Sequence, residues 1–502
     1  MISASSTNLS ISRYVLLPPR GLRGNSPLVS TAARHFLGNL APTAVPTPVT
    51  PSGHFRVVDS ISPTGAKLVE LSPDALNQIQ VQQPGLRIVP VQYYTPAVKR
   101  PPEVRIQAAA FVAAATIMSV GPTNIRIVDG NTGSPVPNAL VVAFTNFAAR
   151  AGAQGTTDAQ GDVSLSLGSS STQTDRLYVY PKLGYWPLLK QNVTLSTGVT
   201  LELTPIELSF QDGLRFFYPL GQFTDGNGVT VGVVDTGIAP HPDLTIAGGF
   251  NAVSGENPND FGDNGEGHGT HVAGIIAAHG TPPTGIQGMA PGVTLRSYRV
   301  FGQGQPGADN FTIAKAIDQA IQDGCDLLNL SLGGGPSDQV LQSAIDDARQ
   351  AGCLVICAAG NDNRSPVSFP GSYQLSLAVS ALGREGTYPS GAEEFGNIQR
   401  PPSGTASQNY ITSFSNVGAQ LAFTAPGDGI ISTFPGGYAV LDGTSMACPA
   451  ATGRAALLLA NAPTIAGMPR DVNRSDALAS ALLQAAQSLG FGHDFEGNGL
   501  LP

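Results

Sequence analysis

The sequence predicts an α/β protein in which a large C-terminal domain, built on a parallel sheet with helices on both faces, follows two smaller modules. Strand and helix patterns alternate from about residue 207 to the end of the chain. Short strand patterns separated by turn residues fill 123–206, and a strand–strand–helix–strand order fills 54–97. Alternating strands and helices are typical of parallel sheets, whereas closely spaced short strands are typical of β-sandwiches.

The composition is that of a folded protein with few charges. The chain has 502 residues, of which 12% are charged and 41% are hydrophobic, while Gly and Pro make up one fifth. A length of this size suffices for several domains. The formal net charge of −9 argues against a nucleic-acid partner, which requires a basic face. No run of 18 apolar residues occurs, so we expect no membrane partner.

Residues 1–53 are rich in Ser, Thr, Pro and Ala and lack sustained periodicity, so we predict an irregular leader. The first residues do not show a basic start followed by an apolar core, so no Sec-type signal peptide is visible. Localisation therefore stays open between the cytoplasm and export by another route.

The first module is predicted at 54–97, as a small α+β unit. HFRVVDSI, AKLVELS and GLRIVPVQYY are strand patterns, and SPDALNQIQVQQ between the last two is a helix pattern. Ser72 is the expected N-cap of that helix, with Pro73 at its first position. Residues 98–122 are Pro- and Ala-rich and are predicted to be a linker.

The second module, at 123–206, is predicted to be a β-sandwich. Its strand patterns are IRIVD, ALVVAF, VSLSL, RLYVYP and VTLELTPIEL, separated by turns such as DGNTGSPVPN and TDAQGD. The spacing of these motifs resembles carboxypeptidase regulatory-like sandwich modules. Such a module could recognise a partner, position the substrate or act as a spacer.

The domain predicted at 207–502 alternates buried strands with amphipathic helices. VTVGVVD, CDLLNLSL and CLVICAA are strand patterns, and the helices between them are predicted at 311–324 and 337–352, the second capped by Ser337. Short connections between such elements imply parallel strands and right-handed crossovers. Functional sites in these sheets form beyond the carboxyl ends of the strands.

Three segments of this domain carry residues suited to nucleophilic catalysis. Asp235 ends a strand in VGVVDTGIAPHPDL, His268 begins a helix in EGHGTHVAGIIAA, and Ser445 begins another in LDGTSMACPAATGRAALLLA. Serine is a poor nucleophile until a base takes its proton. An imidazole can act as that base near neutral pH, and a carboxylate can hold the ring in the required tautomer. A helix start beside the serine also supplies N–H groups to an oxyanion.

These segments resemble the signature blocks of the subtilisin-like serine proteases, and NLSLGGG, AAGND, SFSNVG and FTAPGDGIIST agree with further blocks in order. The resemblance covers 207–502. It implies a serine endopeptidase that forms an acyl-enzyme on Ser445, with Asp235 and His268 completing the triad and Asn361 as an oxyanion donor. It also implies a substrate pocket with small walls, which favours an apolar residue before the cut bond. The matching wall positions are Ser331, Leu332, Gly333, Ala358, Ala359 and Gly360.

Alternative functions remain open at this point. A transpeptidase or cyclase would use the same triad and acyl-enzyme, and an inactive subtilase domain could serve as a binding protein. The sequence DTG is also the aspartic-protease signature, but a single-chain enzyme of that class needs a second such motif, which this chain lacks.

The remaining polar candidates are expected to be structural. We assign His271 to packing, give His241 no catalytic role, and expect four buried free thiols, including Cys448 on the helix of Ser445. Ala450 stands where the family usually has histidine.

No metal or cofactor is expected. The family often holds calcium in the loop after the histidine helix, but Pro282 and Pro283 remove ligands there, and Asp243 alone cannot supply the 6–8 oxygens that calcium takes.

Residues 54–97 resemble the inhibitor-like prodomain of subtilases. That resemblance implies that the chain's own N-terminal module is an intramolecular partner, alongside protein or peptide substrates, and predicts a cut in or after 93–103. An apparent insertion at 383–410 could border the substrate cleft.

Overall fold

A computed structural model describes residues 11–24, 31–40, 42, 53–105, 122–167, 171–305 and 307–502. Of the predicted linker at 98–122, residues 106–121 lie outside the described residues. No helix in the described ranges combines the length and the apolar character needed to span a bilayer.

The N-terminal module is a four-stranded antiparallel sheet with two helices. Its strands lie in the order β2-β3-β1-β4. Ser72 caps α2 as expected, its Oγ accepting from Ala75 N at 3.4 Å, with Pro73 as the first helical residue. The elements are β1 (Ser12–Leu17), α1 (Thr31–Gly38), β2 (Phe55–Ser60), β3 (Lys67–Leu71), α2 (Pro73–Gln82) and β4 (Arg87–Pro90).

The prediction of an irregular leader at 1–53 is wrong for β1, which is an interior strand of this sheet, and for α1. Leu16 packs inside the module, whereas Val15 and Leu17 pack against the C-terminal domain. Because both faces of β1 are buried, the strand carries no polar–apolar alternation, and its signal was missed.

A short strand, β5 (Tyr93–Pro96), leaves this module and lies on the C-terminal domain. The β-sandwich follows, with one sheet in the order β11-β10-β7-β8 and the other in the order β12-β6-β9. Its apolar core includes Ile127, Val141 and Leu177. The strands are β6 (Thr123–Asp129), β7 (Leu140–Asn146), β8 (Ala151–Thr156), β9 (Asp162–Leu165), β10 (Ser171–Tyr180), β11 (Leu188–Ser196) and β12 (Val199–Leu203).

The C-terminal domain is built on an eight-stranded sheet in the order β14-β15-β13-β17-β19-β20-β21, with β22 also pairing with β20. Every pair in it is parallel except β20 with β21. Its elements are α3 (Gly213–Phe217), β13 (Thr230–Asp235), β14 (Gly248–Asn251), α4 (His268–Ala277), β15 (Thr294–Arg299), β16 (Ala308–Asp309), α5 (Asn310–Gln322), β17 (Leu327–Leu330), β18 (Leu332–Gly333), α6 (Gln339–Gln350), β19 (Leu354–Ala358), β20 (Ser376–Arg384), a 3₁₀ helix (Glu393–Asn397), β21 (Asn409–Ile411), β22 (Leu421–Pro426), β23 (Ile430–Phe434), β24 (Gly437–Leu441), α7 (Thr444–Ala460), α8 (Pro463–Ala466), α9 (Val472–Ala485) and α10 (His493–Glu496).

Helices cover both faces of this sheet, as the sequence predicts. Val233 of β13 packs in the cluster that includes α4 and α7, whereas the next residue, Val234, packs in the cluster of α5 and α6. Successive strand residues point to opposite faces, so a continuous apolar strand can hold helices on each side. The predicted cap of α6 is wrong by one position, because Asp338 rather than Ser337 accepts from Val340 N at 2.7 Å.

Candidate active site

Asp235 and His268 meet at the carboxyl end of the parallel sheet. Asp235 is the last residue of β13, and His268 is the first residue of α4. His268 Nδ1 lies 2.7 Å from Asp235 Oδ1, and both side chains are buried. Thr236 N also donates to that carboxylate oxygen, at 2.7 Å. A proton held on Nδ1 by the carboxylate leaves Nε2 of His268 as the basic atom, and Nε2 has no hydrogen-bond partner among the described residues.

Ser445 is the second residue of α7. Its Oγ donates to Ser331 O at 3.0 Å, and Ser331 Oγ donates in return to Ser445 O at 3.0 Å. The hydroxyl therefore points to a wall of the predicted substrate pocket rather than to His268.

An oxyanion-type site lies next to Ser445, and it holds a carbonyl of the chain itself. Ala97 O accepts from Ser445 N at 3.1 Å and from Asn361 Nδ2. A backbone N–H and a side-chain amide converging on one carbonyl oxygen are the donors that such a site requires. The structure thus brings the predicted donor Asn361 to the predicted nucleophile.

Thr444 holds the Asn361 amide in this orientation, a role that sequence reasoning missed. Asn361 Oδ1 accepts from Thr444 N at 2.9 Å and from Thr444 Oγ1 at 3.0 Å. Gly360 N donates to the same hydroxyl at 3.0 Å. With its oxygen side occupied in this way, the amide can point only its N–H groups at Ala97. The available signal was a hydroxyl residue at the first position of the helix that carries the nucleophile.

Residues 93–99 run past Ser445 through a cleft, beginning with β5. Strand β5 pairs antiparallel with β16 on one side and with β18 on the other. Beyond its end, Ala97 N donates to Ser331 O at 3.0 Å and Lys99 N donates to Asp442 O at 2.8 Å. The backbone is therefore fixed on both sides of the Ala97–Val98 peptide bond.

Several of the predicted pocket residues lie against this segment. Leu332 and Gly333 of β18 are in register with Pro96 and Thr95. Ala358 and Ala359, at the end of β19, are completely buried. Gly360 lines a cavity of about 710 Å³ together with Ala97 and Asn361.

Gly443 allows the peptide to pass close to α7. Its φ is +151°, and a Cβ atom on it would lie 2.8 Å from Ala97 O and 3.1 Å from Val98 Cα. A side chain at this position would therefore collide with the peptide, which a glycine admits.

The 383–410 stretch borders the cleft through its 3₁₀ helix. Lys99 Nζ donates to both carboxylate oxygens of Glu393, with Oε2 at 2.5 Å, and to Asn397 Oδ1 at 2.6 Å. Tyr180 of the β-sandwich donates to Glu393 Oε1 at 3.0 Å. Burial lowers the pKa of Lys99, but the carboxylates of Glu393 and Asp442 outweigh it and raise the pKa above its ordinary value. Sequence reasoning did not find these partners.

The residues expected to be structural are so. His271 Nε2 lies 3.1 Å from Ile430 O and 3.2 Å from Ala439 O, and burial lowers the pKa of His271 to about 3, so the ring is neutral. His241 Nε2 lies 2.9 Å from Gly437 O. Cys448 is buried beside Asn329, and burial raises the pKa of its thiol well above the ordinary value. All four cysteines are buried and free.

Asp243 contacts the loop after α4, where the family often holds calcium. Asp243 Oδ2 accepts from Ile286 N at 2.8 Å and from Tyr438 Oη at 2.8 Å, so hydrogen bonds already use this oxygen. In the described ranges, no cluster of three or more His, Cys, Asp or Glu side chains is arranged for a metal ion. The expectation that no metal is needed stays a prediction.

The fold and this site define the class of protein. Residues 226–499, more than half of the chain, match the model of the subtilase family. The chain therefore belongs to that family and is a serine-type endopeptidase. The predicted family is therefore confirmed. The resemblances of 54–97 and 123–206 to a prodomain and a sandwich module stay predictions.

Named relatives agree with this class. The chain is 38% identical to subtilisin DY of Bacillus licheniformis over 246 residues, which are 48% of this chain and 80% of that protein. It is 39% identical to subtilisin BL of Lederbergia lenta over 240 residues, 48% of this chain and 79% of the relative. An alkaline protease of Shouchella clausii is 36% identical over 303 residues, 60% of this chain and 70% of the relative.

Proposed function

We propose that this endopeptidase is made as a zymogen that cuts its own chain between Ala97 and Val98 and then hydrolyses other polypeptides. The observation that carries the proposal is the pair of hydrogen bonds from Ser445 N and Asn361 Nδ2 to Ala97 O. A carbonyl polarised beside the nucleophile is the geometry of a bond about to be attacked. The cut falls inside the interval 93–103 that the sequence predicts.

The proposed reaction uses the triad in two stages. The Ser445 hydroxyl turns from Ser331 O to His268 Nε2, which takes its proton as Oγ attacks the Ala97 carbonyl carbon. The oxyanion forms between the two donors, and Asp235 stabilises the imidazolium. The carbon–nitrogen bond then breaks as His268 protonates the amine of Val98. Water, activated by the same nitrogen, releases Ala97 from Ser445.

The chain's own segment suggests the substrate preference. Ala97, the residue before the cut, is 7% exposed, which supports a small apolar residue at that position. Tyr94, three residues earlier, is completely buried among apolar side chains that include Phe311 and Leu341, and its Oη donates to Asp338 Oδ2 at 2.6 Å. We therefore expect good substrates to carry tyrosine at that fourth position and alanine before the bond.

The N-terminal module is proposed to act as an intramolecular inhibitor. Its β1 residues Val15 and Leu17 pack with α5 and α6. Arg23 forms a two-pronged ion pair with Asp318, with both contacts at 2.6 Å, and Leu22 N donates to Asp347 Oδ2 at 2.7 Å. These contacts do not depend on the Ala97–Val98 bond, so the module can stay bound after the cut and keep β5 in the cleft.

Purified wild type and the Ser445→Ala variant, each treated with a fluorophosphonate, test the proposal. We expect one adduct on the wild type, none on the variant, and a wild-type fragment whose N-terminal sequence is Val-Lys-Arg-Pro-Pro. A new N-terminus elsewhere, or equal processing of the Ser445→Ala chain, would refute self-cleavage at this bond. A folded wild type with neither the new N-terminus nor an adduct would favour the inactive binding protein.

Hydrolysis and peptide transfer share the acyl-enzyme, so product analysis separates them. A substrate peptide is incubated with the wild type in the presence of a second peptide that offers a free amine. We expect free carboxylic acid as the main product, and a ligated peptide as the main product would instead identify a transpeptidase.

A further inference from the structure

Four carboxyl groups lie together where the chain leaves the cleft after the proposed cut. Glu393, Glu394, Asp428 and Asp442 are all less than 9% exposed. Both carboxyl oxygens of Glu394 lack a hydrogen-bond partner within the described part of the chain. Lys99 reaches this acidic cluster, where it pairs with Glu393 and lies 3.7 Å from Asp442 Oδ2. Burial and the neighbouring carboxylates raise the pKa values of Glu394, Asp428 and Asp442. Negative charge in such a cluster is therefore unfavourable unless a counter-charge is present.

Lys99 occupies the cluster as a substrate residue would. It is the second residue after the Ala97–Val98 bond, and its own N–H is fixed to Asp442 O at 2.8 Å. That backbone bond sets the direction of the side chain, which carries Nζ to Glu393 and Asn397. Any peptide bound in the same register would send its second residue along the same path.

The partners of Lys99 are themselves held in place. Asn397 Nδ2 donates to Asp428 Oδ1 at 2.6 Å and to Asp442 Oδ2 at 3.0 Å, so Asn397 turns its oxygen toward the lysine. Tyr180 of the β-sandwich donates to Glu393 Oε1, and Glu393 N donates to Pro187 O at 3.1 Å. The acceptors are therefore oriented before a substrate arrives, which reduces the entropy lost on binding.

Resting on the function proposed above, we propose that Glu393, Asn397 and Asp442 form a subsite that selects lysine as the second residue after the cleaved bond. An ammonium group has three N–H donors, and here two carboxylate oxygens and one amide oxygen receive them. An uncharged residue would leave the acidic cluster without its counter-charge, and a glutamate would add a fifth carboxyl group.

Lys99 stays covalently attached to the catalytic domain after the cut, so an incoming lysine must displace it. This competition lowers the apparent affinity for every substrate equally. The competition therefore cancels in the ratio of kcat/KM between two peptides that differ only at the second residue after the cleaved bond. That ratio is the quantity to measure.

The test uses the self-processed chain and quenched fluorescent peptides of sequence Tyr-Tyr-Thr-Pro-Ala-Val-X-Arg-Pro-Pro, with X as Lys, Ala or Glu. The peptides are supplied at concentrations high enough to compete with the bound N-terminal module. Product masses confirm the cut after alanine. We expect kcat/KM for Lys to exceed that for Ala at least tenfold, the scale of a charge-assisted hydrogen bond, with Glu below Ala. The Glu393→Gln variant should reduce the Lys-to-Ala ratio about tenfold.

The matched control is Glu385→Gln, which removes a carboxylate from the same 383–410 stretch. Glu385 pairs with Arg400 at 2.8 Å. The Lys-to-Ala ratio of kcat/KM for the Glu385→Gln variant should equal that of the wild type. Equal kcat/KM for Lys and Ala in the wild type, or an unchanged ratio in a folded Glu393→Gln, overturns the lysine subsite while cleavage after alanine still stands. If the chain does not cut itself and cuts no peptide, the proposed function fails and the subsite fails with it. If Glu393→Gln does not fold, the wild-type series alone decides.

Discussion

Replacing Thr444 by valine tests whether the orientation of the Asn361 amide matters for catalysis. Valine keeps the shape of threonine but removes the hydroxyl that donates to Asn361 Oδ1 and accepts from Gly360 N. The backbone N–H of Thr444 still donates to Asn361, so the amide is loosened rather than lost. Two hydrogen bonds of about 1 kcal/mol each give an upper bound of roughly 2 kcal/mol, or about thirtyfold in rate.

We therefore expect kcat of Thr444→Val to fall about ten- to thirtyfold while KM stays within about twofold, because the amide acts on the oxyanion more than on the bound peptide. The loss should be smaller than the 10²–10³ found on removing an oxyanion donor, a magnitude measured on subtilisin itself. Steady-state kinetics on a peptide carrying Tyr-Thr-Pro-Ala before the cut provides the assay. Thr444→Ser, which keeps the hydroxyl, should retain wild-type kcat. A kcat for the valine variant equal to that of the wild type, or an equal loss in the serine variant, would refute the reasoning.

Three further predictions concern the cleft, the inhibitor contact and the loop after α4. Gly443→Ala places a Cβ 2.8 Å from Ala97 O. The rate of self-cleavage, measured by gel electrophoresis, should therefore fall at least tenfold while the chain still folds. Asp347, which accepts from Leu22 N, has its pKa raised to about 6 by burial under the N-terminal module, against about 3.9 when exposed. Binding of the module therefore takes up a proton, so the module binds more weakly as the pH increases. We expect its inhibition constant to rise up to about a hundredfold between pH 4 and pH 7. The Asp347→Asn variant, which cannot titrate at this position, should show a flat profile. Chelation with EDTA should shift the Tm of the chain by less than about 2 °C, because Asp243 Oδ2 already accepts two hydrogen bonds. A drop in Tm of about 10 °C would instead show a stabilising cation.

The catalytic centre could be predicted from the sequence because each of its residues stands at a position with a local signature. Asp235 follows an unbroken apolar strand, His268 and Ser445 begin helices, and Asn361 follows another buried strand. Parallel strands align their carboxyl ends at one edge, so local assignments already bring such residues together.

The parts that escaped prediction depend on contacts between distant segments. Lys99 and Glu393 are 294 positions apart, and nothing near either residue indicates the other. Likewise β1 is buried on both faces only because the N-terminal module packs on α5 and α6, so its apolar run had no period to detect. Burial imposed by another domain leaves no mark in the local pattern.

The β-sandwich lies between the N-terminal module and the catalytic domain in sequence, and its contacts suggest why that order is useful. Leu189 N donates to Gly391 O at 2.9 Å, and Tyr180 and Pro187 hold Glu393, so the sandwich supports the stretch that receives Lys99. If the sandwich orients the lysine subsite, Tyr180→Phe should lower the Lys-to-Ala ratio of kcat/KM severalfold and leave the oxyanion contacts intact. A spacer would transmit no such effect, since its surface could be altered without changing which peptide the catalytic domain prefers. A Tyr180→Phe ratio equal to that of the wild type would therefore return the sandwich to the role of a spacer.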